Sequence, residues 1–285
     1  MHILIIGSNG MFGSDLLTVL SQQHKVTGFD LPVLDITHLS TTRSVSSASQ
    51  PDLIINAAGY TDVDGCETNI DLALTVNAMG TRNLAEVCNE LSIPIVYIST
   101  DYIFDGKSTS PYLELDMPNP QNVYGKSKLL GEQYVRELTK KHYIIRTSWL
   151  FGKHGRNFVD IMLYLIKEKD EIHVVNDQVG SPTYTCDLAK AISELIMKPT
   201  YGTYHLTNSG TCTWYEFTLE IFRQAGIDNV RVKPMTTEEL NRPAPRPKYS
   251  VLDNHNWRKL GKKPLRHYKE ALADYLKSLT EEEPK

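Results

Sequence analysis

Short apolar runs alternate with longer amphipathic segments along the first half of the chain. The apolar runs predict five strands, over residues 2–6, 25–29, 52–56, 94–99 and 143–147. The amphipathic segments predict helices over residues 11–23, 71–91 and 121–140. Because continuous apolar strands separated by helices are typical of parallel sheets covered on both faces, we expect an α/β, doubly wound parallel sheet.

The pattern changes after about residue 150. Helices are predicted over residues 157–169, 184–198, 213–225 and 267–279, and a strand over residues 172–175. Residues 242–248 read RPAPRPK, and their three alternating prolines force an extended path. We therefore predict one domain over residues 1–150 and a smaller lobe over residues 151–285, which can return strands or helices to the first domain.

Composition narrows the class of protein. The 285 residues carry 30 basic and 34 acidic side chains, a formal net charge of −4 without the basic excess of a nucleic-acid-binding protein. No apolar run approaches the roughly 20 residues that span a bilayer, so no membrane partner is expected. The four cysteines are scattered singly, which suggests neither a zinc site nor a disulfide framework. A cytoplasmic enzyme or binding protein is the remaining expectation.

A glycine-rich loop joins the first predicted strand to the first helix. Gly7, Gly10 and Gly13 have the spacing GxxGxxG. Such glycines let the backbone approach a pyrophosphate at a helix N-terminus, so this context predicts a Rossmann-type dinucleotide-binding domain, the alternative being a purely structural turn. Asp30 ends the second strand, where a carboxylate can bind the adenosine ribose and favours NAD, unless it simply begins a turn.

The strongest chemical signal is a Tyr-x-x-x-Lys pair. Tyr124 and Lys128 are four residues apart, so on a helix they share one face. A neighbouring ammonium is expected to lower the phenol pKa, and the phenol can then give a proton to a carbonyl oxygen. Ser99 and Thr100 follow a strand at the edge where ligands of such sheets bind. Taken alone, the pair is also compatible with a plain surface helix.

These segments resemble the extended short-chain dehydrogenase/reductases, and within them the dTDP-4-dehydrorhamnose reductase family. The segments that carry the resemblance are NAAG at 56–59, YTDVD at 60–64, STDYIFD at 99–105, NVYGK at 122–126, RTSW at 146–149, DQVGSPT at 177–183 and RPAPRPK at 242–248. The resemblance implies reduction of the C4 ketone of dTDP-6-deoxy-L-lyxo-4-hexulose by NADPH or NADH, with residues 151–285 mainly a substrate-binding lobe.

The same resemblance implies roles for individual residues. The implied catalytic residues are Thr100, Tyr124 and Lys128, and the implied substrate-binding residues are Thr100, Asp101, Tyr102 and Trp149. The implied cofactor-binding residues are Gly7, Gly10, Met11, Phe12, Gly13, Asp30, Asp35, Ile36, Ala58, Gly59, Tyr60, Thr61, Tyr124 and Lys128. Arg242, Arg246 and Lys248 are equally compatible with a diphosphate contact and with a plain linker.

Several alternatives stay open at this point. One is another nucleotide-sugar enzyme of the superfamily, an epimerase or dehydratase. Another is a non-catalytic regulatory relative such as a methionine adenosyltransferase beta subunit, although both Tyr124 and Lys128 are present. Some family members are magnesium-bridged dimers, and Asp15 and the single Asp187 are a reduced acidic set for such a bridge. No metal site is therefore predicted, and magnesium, a homodimer and the choice between NADH and NADPH are left open.

Overall fold

The computed structural model describes residues 1–280. Its strands are β1 His2–Ile6, β2 Lys25–Phe29, β3 Leu53–Asn56, β4 Ile95–Thr100, β5 His142–Thr147, β6 Leu150–Phe151, β7 Glu171–Val175, β8 Val179–Gly180, β9 Thr183–Tyr184, β10 Gly202–His205, β11 Cys212–Thr213 and β12 Arg231–Met235. Its α-helices are α1 Met11–Leu20, α2 Leu39–Ser49, α3 Val63–Thr68, α4 Ile70–Ala73, α5 Thr81–Glu90, α6 Val123–Leu138, α7 Phe158–Leu165, α8 Thr185–Leu195, α9 Trp214–Ala225, α10 Thr237–Leu240, α11 His255–Lys259 and α12 Tyr268–Thr280.

Six parallel strands form the central sheet, in the order β2-β1-β3-β4-β5-β10. The direction in which strands are added to the sheet reverses after β2, because β1 pairs with β2 on one side and with β3 on the other. Ligands of open α/β sheets bind at such a switch point, beyond the carboxyl ends of the strands. The sixth strand, β10, comes from the second half of the chain and lies beside β5.

Both faces of the sheet are buried. Along β1, Ile3 and Ile5 belong to the core cluster that includes side chains of α1 and α8, whereas Leu4 and Ile6 belong to the cluster that includes side chains of α5 and α6. This two-sided burial explains why the strands read as continuous apolar runs rather than as alternating ones. The predicted Rossmann-type, doubly wound parallel sheet is confirmed.

A separate aromatic core lies in the second half of the chain. It is built from α7, α9 and α12 together with the parallel pair β7 and β12. Phe151 lies at its centre, with its ring centroid 5.5 Å from that of Tyr275 and 5.8 Å from that of Phe217. Aromatic pairs at these separations add to the stability that burial provides. Among residues 1–280, no helix is long and apolar enough to cross a membrane.

Two of the longer helical segments differ from the sequence pattern. The helix predicted over residues 71–91 is interrupted, because Leu74–Gly80 between α4 and α5 is a π-helix. Helix α2 is not predicted at all, since its sequence LSTTRSVSSAS is rich in serine and threonine. Tertiary contacts stabilise it: Arg43 on α2 pairs with Glu86 and Glu90 on α5.

Candidate active site

A cleft of about 510 Å³ opens beyond the carboxyl ends of β1, β3, β4 and β5. Both halves of the chain contribute to it. The predicted site residues that line it are Gly10, Met11, Phe12, Gly13, Ala58, Gly59, Thr61, Thr100, Asp101, Tyr102, Tyr124, Lys128 and Trp149. The lining residues that were not predicted as site residues are Ala57, Val63, Ile98, Ser99, Thr147, Ser148, Leu150 and Trp214.

Gly7 and Gly13 of the glycine loop are packed too tightly to carry side chains. Gly7 has a φ of +82°, and a Cβ there would lie 2.6 Å from the backbone nitrogen of Ala58. A Cβ on Gly13 would lie 2.0 Å from the carbonyl oxygen of Gly7. Gly10 is the N-cap of α1, where no side chain caps the helix, and a Cβ there would be 3.4 Å from its nearest neighbour. The helix N-terminus is therefore open toward the cleft, which fits a phosphate group.

Five predicted cofactor residues lie outside the cleft lining: Gly7, Asp30, Asp35, Ile36 and Tyr60. Asp30 accepts hydrogen bonds from the backbone nitrogens of Asn9, at 3.0 Å, and Leu31, at 2.8 Å, so it holds the glycine loop against the end of β2. Asp35 accepts from the backbone and hydroxyl of Thr37, and these hydrogen bonds lower the pKa of its carboxyl. Ile36 is buried in the core.

The π-helix brings Asn77 under the loop that follows β3. The fully buried Asn77 accepts a hydrogen bond from the backbone nitrogen of Tyr60 at 2.8 Å and donates to its carbonyl oxygen at 3.0 Å. The same amide nitrogen lies 2.9 Å from the hydroxyl of Ser127 on α6. Asn77 therefore joins the cleft-lining loop at Gly59 to the helix that carries Tyr124 and Lys128. Such π segments are frequent at functional sites.

Helix α6 presents Tyr124 and Lys128 to the cleft one turn apart, as predicted from their spacing. Asn122 is the N-cap of this helix, and its side chain accepts a hydrogen bond from the backbone nitrogen of Gly125 at 2.7 Å. A Cβ on Gly125 would lie 2.1 Å from the carbonyl oxygen of Tyr102, so only glycine lets the first turn approach this closely. The ring of Tyr102 meets that of Tyr124 edge to face at 5.9 Å.

The predicted lowering of the Tyr124 pKa is wrong. Burial raises the pKa of the phenol, the Asp101 carboxylate raises it further, and a hydrogen bond with Thr100 opposes the rise. The reason is that the phenol lies in a desolvated cleft that also contains a carboxylate. The phenol is accordingly protonated at neutral pH, as a proton donor must be.

Lys128 is the buried cation of the site. Its side chain is 4 % exposed, and its Nζ lies 4.4 Å from the centre of the Tyr97 ring. Burial lowers the pKa of Lys128 to about 7, whereas Glu132, one turn further along α6, acts to raise it. A change of charge on this lysine near neutral pH follows from these two opposing effects.

Glu132 is a fully buried carboxylate that joins three elements. It accepts hydrogen bonds from the Ser99 hydroxyl on β4 at 2.5 Å and from two nitrogens of Arg146 on β5, at 3.0 and 2.9 Å. Arg136 adds a further bond at 2.7 Å. These bonds fix α6 relative to β4, which ends at Thr100, and to β5, which is followed by Trp149. They also engage the hydroxyl of Ser99, which lies beside Thr100 at the end of β4.

Thr100 ends β4 and caps the short 3₁₀ turn that follows. Its hydroxyl accepts a hydrogen bond from the backbone nitrogen of Tyr102 at 3.1 Å and donates to Asp101 at 3.0 Å. Burial raises the pKa of Asp101 to about 6, although hydrogen bonds from Ser250 and Thr100 oppose this rise. Phenol, hydroxyl and carboxyl groups therefore meet at one end of the cleft, suited to binding a polar substrate and protonating one of its oxygens.

Two stacked tryptophans also line the cleft. The rings of Trp149 and Trp214 are 3.4 Å apart and inclined by 7°. Trp214, the first residue of α9, is not among the predicted site residues. It is more than 60 residues away from Trp149 in sequence, so only the tertiary fold reveals the pair.

With the cleft described, comparison with known proteins is informative. The family described as RmlD substrate binding domain matches residues 1–281. A dTDP-4-dehydrorhamnose reductase from Clostridium acetobutylicum ATCC 824, known from a crystal structure, is 46% identical, with a TM-score of 0.96 and coverage of 98% of this chain and 100% of that one. The chain belongs to the dTDP-4-dehydrorhamnose reductase family.

Two further proteins are similar to this chain over nearly their whole length. The crystal structure of the Bacillus anthracis str. Ames reductase in complex with NADP shares 43% identity and a TM-score of 0.95, covering 97% of this chain and 99% of that chain. The spore coat polysaccharide biosynthesis protein SpsK of Bacillus subtilis is 42% identical, with 96% of each chain covered. The sequence-based resemblance to this reductase family is confirmed.

The proline-rich segment of this reductase-family chain has a partner within the protein. Asp64 on α3 pairs with Arg246, whose second nitrogen lies 2.8 Å from the carboxylate, and accepts a hydrogen bond from Arg242 at 3.1 Å and from the backbone of Ala244 at 3.1 Å. Both arginines that were candidates for a diphosphate contact are thus engaged by one carboxylate. The segment is held against the cleft wall that contains Val63.

Asp64→Asn tests the strength of this clamp. Burial acts to raise the pKa of Asp64, but the hydrogen bonds from Arg246 and Ala244 outweigh it and lower the pKa to about 2. A lowered pKa stabilises the fold above the ordinary value of 3.8, and this contribution is lost as the pH falls toward 2. We expect the variant to lose about 1–2 kcal/mol of unfolding free energy at pH 7.

Urea unfolding of both proteins at pH 7, 4 and 3 measures this difference, which should shrink as the pH falls. The exposed Asp170→Asn is the matched control. An equal loss of stability at all three pH values would contradict an origin in the charge of Asp64.

The two carboxylates considered for a metal bridge have partners inside the chain. Asp15 accepts a hydrogen bond from the hydroxyl of Thr185. Asp187 accepts from two nitrogens of Arg266, at 2.7 and 3.0 Å, and from Asn208 at 2.9 Å. That this reductase-family member has no metal site stays a prediction.

Proposed function

We propose that this protein reduces the C4 ketone of dTDP-6-deoxy-L-lyxo-4-hexulose to the alcohol of dTDP-L-rhamnose, with NADPH or NADH as reductant. The observation that carries the proposal is the meeting of Thr100, Tyr124 and Lys128 with the open N-terminus of α1 in one cleft. Membership of the dTDP-4-dehydrorhamnose reductase family supports the choice of sugar.

The cofactor site fits a nicotinamide dinucleotide. A reduced nicotinamide supplies the hydride. Gly10, Met11, Phe12 and Gly13 would bind the pyrophosphate, because the loop is free of side-chain bulk and the helix dipole favours an anion there. The loop residues Ala58, Gly59 and Thr61, which Asn77 holds against α6, would contact the nicotinamide side. Besides Gly7, four predicted cofactor residues lie outside the cleft lining. The adenosine end of the cofactor would lie near Asp30, Asp35 and Ile36, and Tyr60 would support the loop from behind.

Tyr124 would donate its phenolic proton to the O4 oxygen of the sugar. The raised pKa keeps the phenol protonated until substrate arrives, and the acid is needed only as negative charge develops on the ketone oxygen. Thr100 would orient the carbonyl through its hydroxyl. Lys128 would bind the nicotinamide ribose, and in its charged form it would offset negative charge on the phenolate left behind.

Asp101, Tyr102 and Trp149 would bind the sugar. The carboxyl of Asp101 can accept a hydrogen bond from a sugar hydroxyl, and the face of an indole ring suits the apolar face of a sugar ring. Tyr102 is half-buried, and its ring lies edge to face against that of Tyr124.

We propose that either NADPH or NADH can serve as the reductant. The Bacillus anthracis relative is described in complex with NADP, which supports NADPH. Asp30 argues for NADH when read from sequence alone, but both of its oxygens already accept backbone hydrogen bonds from Asn9 and Leu31. The carboxylate therefore has less capacity left for the ribose hydroxyls than its position at the end of β2 suggests.

The decisive experiment offers the ketosugar nucleotide, prepared in situ, with NADPH and with NADH separately, and follows the absorbance of the reduced nicotinamide. We expect oxidation that depends on the sugar, and dTDP-L-rhamnose as the product. If the absorbance of the reduced nicotinamide does not change when the sugar is added, and a cofactor stays bound through purification, the result would instead favour an epimerase or dehydratase. Co-purification with a synthetase and no turnover would favour a regulatory role. A cytoplasmic location and a homodimer stay predictions.

A further inference from the structure

The ring of Trp149 contacts a two-stranded sheet from the second half of the chain and the tryptophan that follows this sheet. Strands β8 and β11 pair so that Cys212 lies opposite Gly180. Trp214 follows β11 directly and stacks on Trp149 at 3.4 Å. A Cβ on Gly180 would lie 2.4 Å from Cε2 of Trp149, so the indole edge contacts the glycine backbone.

The backbone of Trp149 has an uncommon conformation. Its φ is +49°, in the left-handed region that bulky residues rarely adopt. Its carbonyl oxygen accepts a hydrogen bond from the backbone nitrogen of Thr183 at 3.1 Å. Residues keep such a conformation only where their surroundings impose it, and such positions cluster at ligand sites. The stacked ring and the close glycine are the surroundings that impose it here.

Trp214 is itself fixed from behind. Its indole Nε1–H donates to the side chain of Gln178 at 3.2 Å, and its ring lies 4.4 Å from that of Phe158. Helix α9 begins with a capping box in which Thr213 and Glu216 satisfy each other's backbone. Trp214 is therefore a rigid support, and Trp149 is the ring that rests on it.

We propose that Trp214 is a positioning residue for sugar recognition, which holds the Trp149 indole at the angle that receives the nucleotide sugar. The inference rests on the proposed function and extends it to a residue outside the predicted site. Trp214 supports Trp149, the residue assigned to the sugar, and the pyrophosphate is assigned to the glycine loop. Its loss should therefore weaken binding of the sugar and leave binding of the dinucleotide unchanged.

Trp214→Ala and Trp214→Phe separate positioning from folding. An aromatic pair is worth a factor of between about two and about ten, so Trp214→Ala should raise the KM for the ketosugar nucleotide by roughly tenfold at nearly constant kcat. Trp214→Phe keeps a stacking ring and should restore most of the affinity. The Kd for NADPH should be unchanged in both variants. The control is Trp257→Phe, since Trp257 is a core residue whose indole bonds to the carbonyl of Lys263.

Fluorescence provides an arm that does not need turnover. The chain has three tryptophans, so Trp257→Phe leaves emission from the stacked pair alone. Titration with dTDP-L-rhamnose should change this emission, and adding Trp214→Ala should weaken the measured Kd about as much as the KM. An unchanged sugar affinity in Trp214→Ala, or an equal loss of NADPH affinity, would overturn the inference. If the wild type binds dTDP-L-rhamnose but does not reduce the ketosugar, the proposed function fails and this inference stands on the titration.

Discussion

Tyr124→Phe is expected to lower kcat for the ketosugar by roughly 10²–10⁴-fold, the usual contribution of a positioned general acid. The substitution removes the phenolic proton and keeps the ring, so the edge-to-face contact with Tyr102 is preserved. Binding of NADPH and thermal stability should therefore change little. Stopped-flow or steady-state measurement of cofactor oxidation gives kcat, and fluorescence titration gives the Kd for NADPH.

Tyr134→Phe, on the same helix, is the matched control and should retain full activity. Because burial raises the Tyr124 pKa, a fall in the wild-type rate between about pH 7 and 9 should come from Lys128 and not from ionisation of this phenol. Retention of most of the kcat in Tyr124→Phe would remove Tyr124 as the proton donor.

Lys128→Met is the second large effect. Loss of a charge-assisted hydrogen bond should weaken NADPH binding by about tenfold or more. Loss of the cation beside the developing charge should lower kcat on the order of 10²-fold. Methionine keeps roughly the length of the buried stem, while the contact of Nζ with the Tyr97 ring is lost with the charge. Binding titrations and cofactor-oxidation rates measure the two effects separately.

The charge of Lys128 also predicts a pH dependence. A lysine is charged below its pKa, and burial places this pKa at about 7 against the opposing effect of Glu132. Activity that depends on the charge should therefore fall as the pH rises through about 7 and should be lost already in Lys128→Met. The exposed Lys126→Met is the control on the same helix. An unchanged NADPH Kd in Lys128→Met would refute the ribose contact.

The parts of the fold that sequence predicts are those where local pattern and burial agree. Strands β1, β3, β4 and β5 have continuous apolar runs at their centres, because helices cover both faces of the sheet. Helix α2 and strand β10 lack such a pattern. Both depend on distant partners: α2 packs Val45 against the core cluster that contains side chains of α5, and β10 pairs with β5, about 60 residues earlier.

The candidate site divides in the same way. Residues that belong to a local motif, such as Gly10, Thr100 and Tyr124, could be predicted because motif and cleft coincide. Asn77 and Trp214 could not, since their roles depend on contacts made only after folding. Glu132 had a signal that was available, because it lies four residues after Lys128 on the same face of a predicted helix.

The position of β10 has a consequence for engineering of this enzyme class. A fragment that stops near residue 150 would lack β10, so β5 would become an exposed, apolar sheet edge prone to self-association. Exchange of substrate-recognition segments between relatives should accordingly retain residues 202–205 with the first half of the chain. Chimeric junctions then fall on either side of β10 rather than at a single cut in the middle of the chain.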